Sequence, residues 1–409
     1  HRLVAGDWTR PSRSRLPEPL TLIEPTRERL AEHARAIGFR LHRLALEDGG
    51  GASWMGIEPR SSQEWQVGPV GIDLYAGLSG IVLFLAYLGS VLDEGGFTSL
   101  AKRALSSLRR QLAREPQSWR RRGAGAFTGV AGYVYLLSHL SSLWQSSEPL
   151  HEAERMVPTL VELIDADTTF DVMGGTAGCI AALLSLHAVA PGSAALAAAV
   201  RGGQRLVSRA QPLAGGVGWL GLGREHAPLT GFSHGNAGVA WALLRLFEAT
   251  GQTSFFETAL AALDYERGLF SCAHGNWPDL RQCASHEAGF AAQVAWCHGA
   301  PGIVLSRIDT LAAIDDSCTR AQIAAGLHTT IACGLGSNHS LCHGVVGNLE
   351  TLWSAGQRLD DATIRSEAIR LSGLTLASIE TQGLVTGVPH GTETPGLMVG
   401  IAGIGHGLL

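Results

Sequence analysis

The chain has 409 residues, of which 45% are hydrophobic and only 16% charged, so it can bury a large core. Its formal net charge of -5 argues against broad nucleic-acid binding, and no stretch is long and apolar enough to read as an integral membrane segment. Seven cysteines, an odd number, and a start without a signal-peptide pattern exclude a secreted disulfide framework and point to the cytoplasm.

The first 25 residues hold Pro11, Pro17, Pro19 and Pro25 and read as an irregular segment; residues 26–409 read as one domain. No methionine precedes Met55, so the chain is expected to be excised from a longer protein. A Gly-x-x-Gly followed by an apolar run then recurs seven times, at Gly77, Gly129, Gly175, Gly235, Gly299, Gly344 and Gly400, with spacings of 45 to 64 residues. A glycine inside a helix costs about 1 kcal/mol against alanine, so seven recurrences imply a packing reason, namely close approach of neighbouring backbones. Runs such as Ile81 to Leu88 are apolar nearly all round and belong to buried helices. Gly174 to Val200 is broken at Pro191-Gly192-Ser193 and reads as two buried helices.

Between these runs lie amphipathic segments: Arg27 to Leu46, Ser99 to Ala113, Glu152 to Ile164, Ala194 to Val207, Ser254 to Tyr265, Thr310 to His328 and Ala362 to Ile379. The pattern predicts an all-α fold, an α/α toroid of inner and outer helices, with no competing strand signal. The arginine-rich run from Lys102 to Arg122 reads as a solvated outer face rather than a dock for an acidic peptide.

Two repeats carry chemistry. Trp296-Cys297-His298-Gly299 and Leu341-Cys342-His343-Gly344 each place a cysteine and a histidine just before a helix. Two thiolates and one imidazole suit zinc, so Cys297, Cys342 and His343 are candidate ligands of one ion with a position left open. Neighbouring residues on a helix point about 100° apart, so Cys342 and His343 share a metal only at a loop or helix start. His298 would supply a fourth ligand and close the site. The fourth repeat has Ser233-His234-Gly235, in which His234 is a candidate acid or base. Asp171, four residues before Gly175, either orients His234 or caps its own helix; Asp73 occupies the same slot before Gly77.

These motifs, with Asp73-Leu74-Tyr75-Ala76-Gly77, Asn276-Trp277-Pro278-Asp279-Leu280 and Pro395-Gly396-Leu397-Met398, resemble LanC-type lanthionine cyclases. The resemblance runs from about Trp54 onward. It is specifically to the C-terminal cyclase part of class II lanthipeptide synthetases (LanM), enzymes of lantibiotic biosynthesis. It implies seven inner and seven outer helices, one Zn2+ held by Cys297, Cys342 and His343, and an active site lined by His234 and Asp171. Two positions depart from some members: Gln293 stands where they have arginine, and His298 where they have tyrosine. The implied reaction adds a peptide cysteine thiol to dehydroalanine or dehydrobutyrine, giving a (methyl)lanthionine thioether. Zinc would deprotonate the thiol, and His234 would return a proton to the enolate carbon. The implied partners are a dehydrated precursor peptide, leader plus core, and an N-terminal dehydratase domain absent from this sequence.

Two other classes stay open. One is another zinc-thiolate α/α-barrel enzyme, such as a prenyltransferase subunit, which ligation by Asp171 would favour. The other is a non-catalytic LanC-like protein that binds peptide or glutathione, which a four-ligand site including His298 would favour. The precursor, the ring pattern and the oligomeric state are not encoded in a readable way.

Overall fold

A computed structural model describes residues 21–59, 64–221, 227–281, 290–333 and 336–409. Most of the predicted irregular start (residues 1–20) and Cys283 lie outside these; residues 21–26 have no regular structure. The described residues form two compact units, those within 1–116, 335–353 and 362–409 in one, and those within 117–334 and 354–361 in the other.

In the first unit the helices are Arg27–Leu44, Leu78–Val91, Gly95–Arg114, Ala362–Gln382, Ile401–His406 and the start of Val345–Arg358. The second contains Ala131–Trp144, Ser147–Ala166, Thr176–Val189, Ala195–Arg209, Asn236–Thr250, Thr253–Gly268, Ala300–Asp309 and Ser317–Cys333. The helices after the first five Gly-x-x-Gly motifs each pack on the amphipathic helix that follows, as the periodicity predicts, and Ile401–His406 packs on Arg27–Leu44. Leu78–Val91 is buried on nearly every side, while Gly95–Arg114 buries one stripe, Phe97, Leu100, Ala101, Ala104, Leu105, Ser107 and Leu108. The amphipathic helix expected from Thr310 begins instead at Ser317. Asp316 explains this: its carboxylate accepts the Thr319 amide at 2.7 Å, capping the helix seven residues into the expected span.

Three short antiparallel hairpins were not expected: Leu46–Asp48 with Gly51–Ser53, Met55–Pro59 with Trp65–Pro69, and Gln211–Leu213 with Gly216–Gly218. Strands of three to five residues are too short for an alternating pattern to register. Their tertiary anchors are tryptophans. Trp54 Nε1 donates to Leu41 O at 2.8 Å and Trp219 Nε1 to Leu206 O at 2.9 Å, each closing the end of the preceding helix.

The glycine pair has a local reason besides the expected close approach of a neighbour, where a Cβ on Gly178 would lie 2.6 Å from Ala126 N and one on Gly302 2.9 Å from Phe232 Cβ. A Cβ on Gly302 would lie 1.9 Å from Trp296 O, and one on Gly347 would lie 1.9 Å from Leu341 O. The second glycine therefore accepts the carbonyl of the residue six before it, where the chain curls back over the first helical turn. That curl lifts the residues between onto a turn in front of the helix. No helix among the described residues is long and apolar enough to cross a membrane.

Candidate functional site

The turns that precede the repeat helices are stitched edge to edge by backbone hydrogen bonds. In the second unit Met173 N donates to Ser233 O and Ser233 N to Cys297 O, both at 3.2 Å. In the first unit Cys342 N donates to Met398 O at 2.8 Å and Met398 N to Tyr75 O at 2.7 Å. Each bond satisfies polar backbone at a helix start and fixes the register of side chains from distant parts of the sequence.

In the second unit this register brings His234 and Asp171 together. His234 Nδ1 lies 2.6 Å from Asp171 Oδ2, while Asp171 Oδ1 accepts the Gly174 amide at 2.8 Å. Asp171 thus does both things the sequence left open: one oxygen caps the turn and the other orients the imidazole. A carboxylate facing Nδ1 places the ring proton there and leaves the lone pair on Nε2. The His234 side chain is 33% exposed and Asp171 10%, so the pair is a half-open dyad with its carboxylate inside. His298, 3% exposed, stacks on His234 at 5.9 Å between centroids. Asp73 caps its own turn in the same way: Oδ1 accepts the amides of Ala76 and Gly77.

Cys297 is 9% exposed and its carbonyl also accepts the Ser233 hydroxyl at 3.0 Å. Gly299, with φ of +89°, ends this turn in a conformation that favours glycine and starts the helix that carries Pro301 at its N-terminus. Gln293 reaches Asp279 Oδ2 with Nε2 at 3.2 Å. The same carboxylate takes Arg281 at both oxygens, Nε to Oδ1 at 2.8 Å and Nη2 to Oδ2 at 2.7 Å. Burial works to raise the Asp279 pKa, but the hydrogen bonds and charge of Arg281, helped by the nearby His298, hold it below the ordinary value. Gln293 therefore stands beside a carboxylate-clamped guanidinium that comes from 12 residues earlier in the chain. Asp279 had no sequence signal beyond membership of the Asn276 to Leu280 motif, and Arg281, one residue past it, had none.

In the first unit Cys342 and His343 occupy the turn just before Val345–Arg358, where adjacent side chains need not diverge as on a helix, and their donor atoms lie within 4.8 Å of each other. The Tyr75 hydroxyl lies 3.1 Å from Cys342 Sγ. His343 Nε2 lies 2.8 Å from Gly387 O. Because a carbonyl only accepts, Nε2 carries the proton and the lone pair sits on Nδ1, the arrangement of a histidine prepared for a metal. Gly387 and Tyr75 were not picked out as site residues, since single residues so far away leave no periodic trace.

Residues 68–409 match the family described as lanthionine synthetase C-like protein. A lacticin 481/lactococcin biosynthesis protein of Lactococcus lactis subsp. lactis is 26% identical over 195 residues, 44% of this chain. The match spans only 20% of that protein's length. Nisin cyclase has a similar structure, with a TM-score of 0.63 over 94% of each chain at 17% identity. That likeness concerns the fold, and it bears out the all-α, α/α-toroid class that the repeats predict. With the family pattern running from residue 68 to the last residue of the sequence, the chain belongs to the lanthionine synthetase C-like family.

Proposed function

We propose that this chain is a zinc-dependent lanthipeptide cyclase that adds peptide cysteine thiols to dehydroalanine or dehydrobutyrine, forming (methyl)lanthionine rings. The observation that carries this reading is the Asp171–His234 dyad, placed by Ser233 on the same backbone seam as Cys297. Family membership supports the same chemistry.

In this reading the metal ligands are Cys297, Cys342 and His343. Two soft thiolates and one imidazole fit zinc, and the Nε2–Gly387 hydrogen bond presents His343 in the tautomer a metal requires. When bound, zinc would supply a deprotonated substrate thiol at neutral pH, where a free thiol with pKa near 8.5 is only a few per cent thiolate.

The remaining steps fall to side chains. His234, its Nδ1–H held by Asp171, takes up at Nε2 the proton released by the substrate thiol and returns it to the α-carbon after sulfur attacks the β-carbon. The C–S bond forms as the C=C π bond breaks, and the thiol's proton is replaced on carbon, so the peptide's mass is unchanged. His298 lies beside this imidazole, its ring stacked 5.9 Å away. Gln293 and Arg281, tied together through Asp279, present amide and guanidinium donors to the peptide.

The implied substrate is a dehydrated precursor peptide, leader plus core, and the implied partner an N-terminal dehydratase domain. A reducing compartment such as the cytoplasm suits a site built on two thiols. Both oxygens of Asp171 are engaged, by Gly174 and His234, which favours the cyclase over a mixed aspartate-cysteine-histidine site of the prenyltransferase kind.

The test uses a synthetic peptide carrying one dehydroalanine and one cysteine. Incubation with the purified chain and zinc is expected to remove the thiol from reaction with N-ethylmaleimide without a change in mass. Cys297→Ala is expected to leave the thiol reactive; equal protection by wild type and variant would refute the zinc chemistry.

A further inference from the structure

Four residues before the second zinc-ligand histidine candidate lies His339, wholly buried and engaged on both ring nitrogens. The Val385 amide donates to its Nδ1 at 3.0 Å, and its Nε2 lies 2.9 Å from Ser378 Oγ. Its own backbone N–H donates to Val385 O at 2.8 Å, so one residue grips both polar groups of Val385. Burial pushes the His339 pKa down to about 4, and the neutral ring keeps the lone pair that Val385 needs.

Val385 begins a strap that passes under His343. Two residues on, Gly387 N donates to Val399 O at 2.7 Å, and Gly387 O receives His343 Nε2 at 2.8 Å. The strap is close-fitting: a Cβ on Gly387 would lie 2.9 Å from His343 Nε2 and 2.6 Å from Ser340 Oγ. Any slip of the strap therefore moves the carbonyl that fixes the tautomer of His343.

We propose that His339 is a positioning residue for His343, acting through the Val385–Gly387 strap to hold its Nδ1 lone pair ready for a metal. This rests on the zinc reading for its purpose, though not for its geometry. The side chain of asparagine places an oxygen about where histidine has Nδ1, so His339→Asn keeps the acceptor for Val385, and His339→Ala removes it.

The test has two readouts on the full chain. In the metal-free protein, imidazole 15N shifts, assigned to His343 with a His343→Ala control, should report a locked Nε2–H tautomer in wild type and His339→Asn, and tautomer averaging in His339→Ala. Zinc affinity, read by chelator competition, should fall about 10- to 100-fold in His339→Ala and by no more than about threefold in His339→Asn. A locked tautomer and wild-type affinity in His339→Ala would overturn the proposal, as would equal losses in the two variants. A locked tautomer in a wild type that binds no zinc would uphold the positioning and defeat the zinc reading. Should His339→Ala fail to fold, Gly387→Ala, with His339 intact, is expected to lose the lock and the affinity; retention of both would again overturn the proposal.

Discussion

Ser233 gives both its backbone N–H and its hydroxyl to the carbonyl oxygen of Cys297, at 3.2 and 3.0 Å. Sixty-four residues separate them in sequence, yet this doubled bond fixes the two turns as neighbours. The residues that follow, His234 and His298, then lie with their rings stacked, 5.9 Å between centroids.

The dyad sets the first expectation. Asp171→Asn keeps an oxygen for the Gly174 amide but turns an NH2 toward His234 Nδ1, which forces the other tautomer. Thiol consumption is expected to slow by roughly 10²-fold or more, with the range of general acid-base catalysis as the guide. Thermal unfolding should barely move, because the cap survives.

Metal content gives the second. The purified chain is expected to bind one zinc per molecule by elemental analysis, and Cys342→Ala or His343→Ala to bind far less. Chelation should stop thiol consumption and lower the melting temperature, since an ion that binds only the folded chain stabilises it by mass action.

The titration of His339 makes a third testable. Its pKa falls from 6.5 to about 4 on folding, so between those values the unfolded chain binds more protons and stability rises with pH. The contribution is complete above pH 6.5 and lost as pH falls toward 4; between pH 7 and 5 it amounts to about 2 kcal/mol. Urea midpoints at pH 7 and 5 should therefore differ less in His339→Asn than in wild type.

Gly302 offers a steric test. Its missing Cβ would meet backbone, the Trp296 carbonyl at 1.9 Å, which cannot swing aside. Gly302→Ala should cost about 1–3 kcal/mol by urea denaturation and distort the Cys297 turn. Gly95→Ala, with nothing within 4 Å of the new methyl, should change stability by less than about 0.5 kcal/mol.

Beneath the His234 turn lies a buried ion pair with no trace in the sequence pattern. Glu266 Oε1 accepts the amides of Gly231 at 3.0 Å and Ala237 at 3.2 Å, and Oε2 lies 3.6 Å from Arg307 Nη2. Arg307 in turn covers the face of Trp277. Glu266→Ala strands a guanidinium and two amides in the interior, and is expected to cost about 3–5 kcal/mol. A loss under 1 kcal/mol would mean the turn is held by other contacts.

The sequence by itself determined the helical class, the seven glycine-marked helix starts and the approximate place of each outer helix, because apolar periodicity and glycine spacing are local properties of the chain. It also marked Cys297, Cys342, His343, His234 and Asp171, since reactive side chains placed just before a helix stand out from a repeat. Only the tertiary structure decided what Asp171 does with each oxygen, which carbonyl holds His343, and that Arg281 is clamped beside Gln293. Those relations are hydrogen bonds between residues far apart in the chain, and their partners are set by which turns lie side by side. The short hairpins and the Glu266–Arg307 pair belong with them: burial, and not sequence pattern, selects a buried charge's partner.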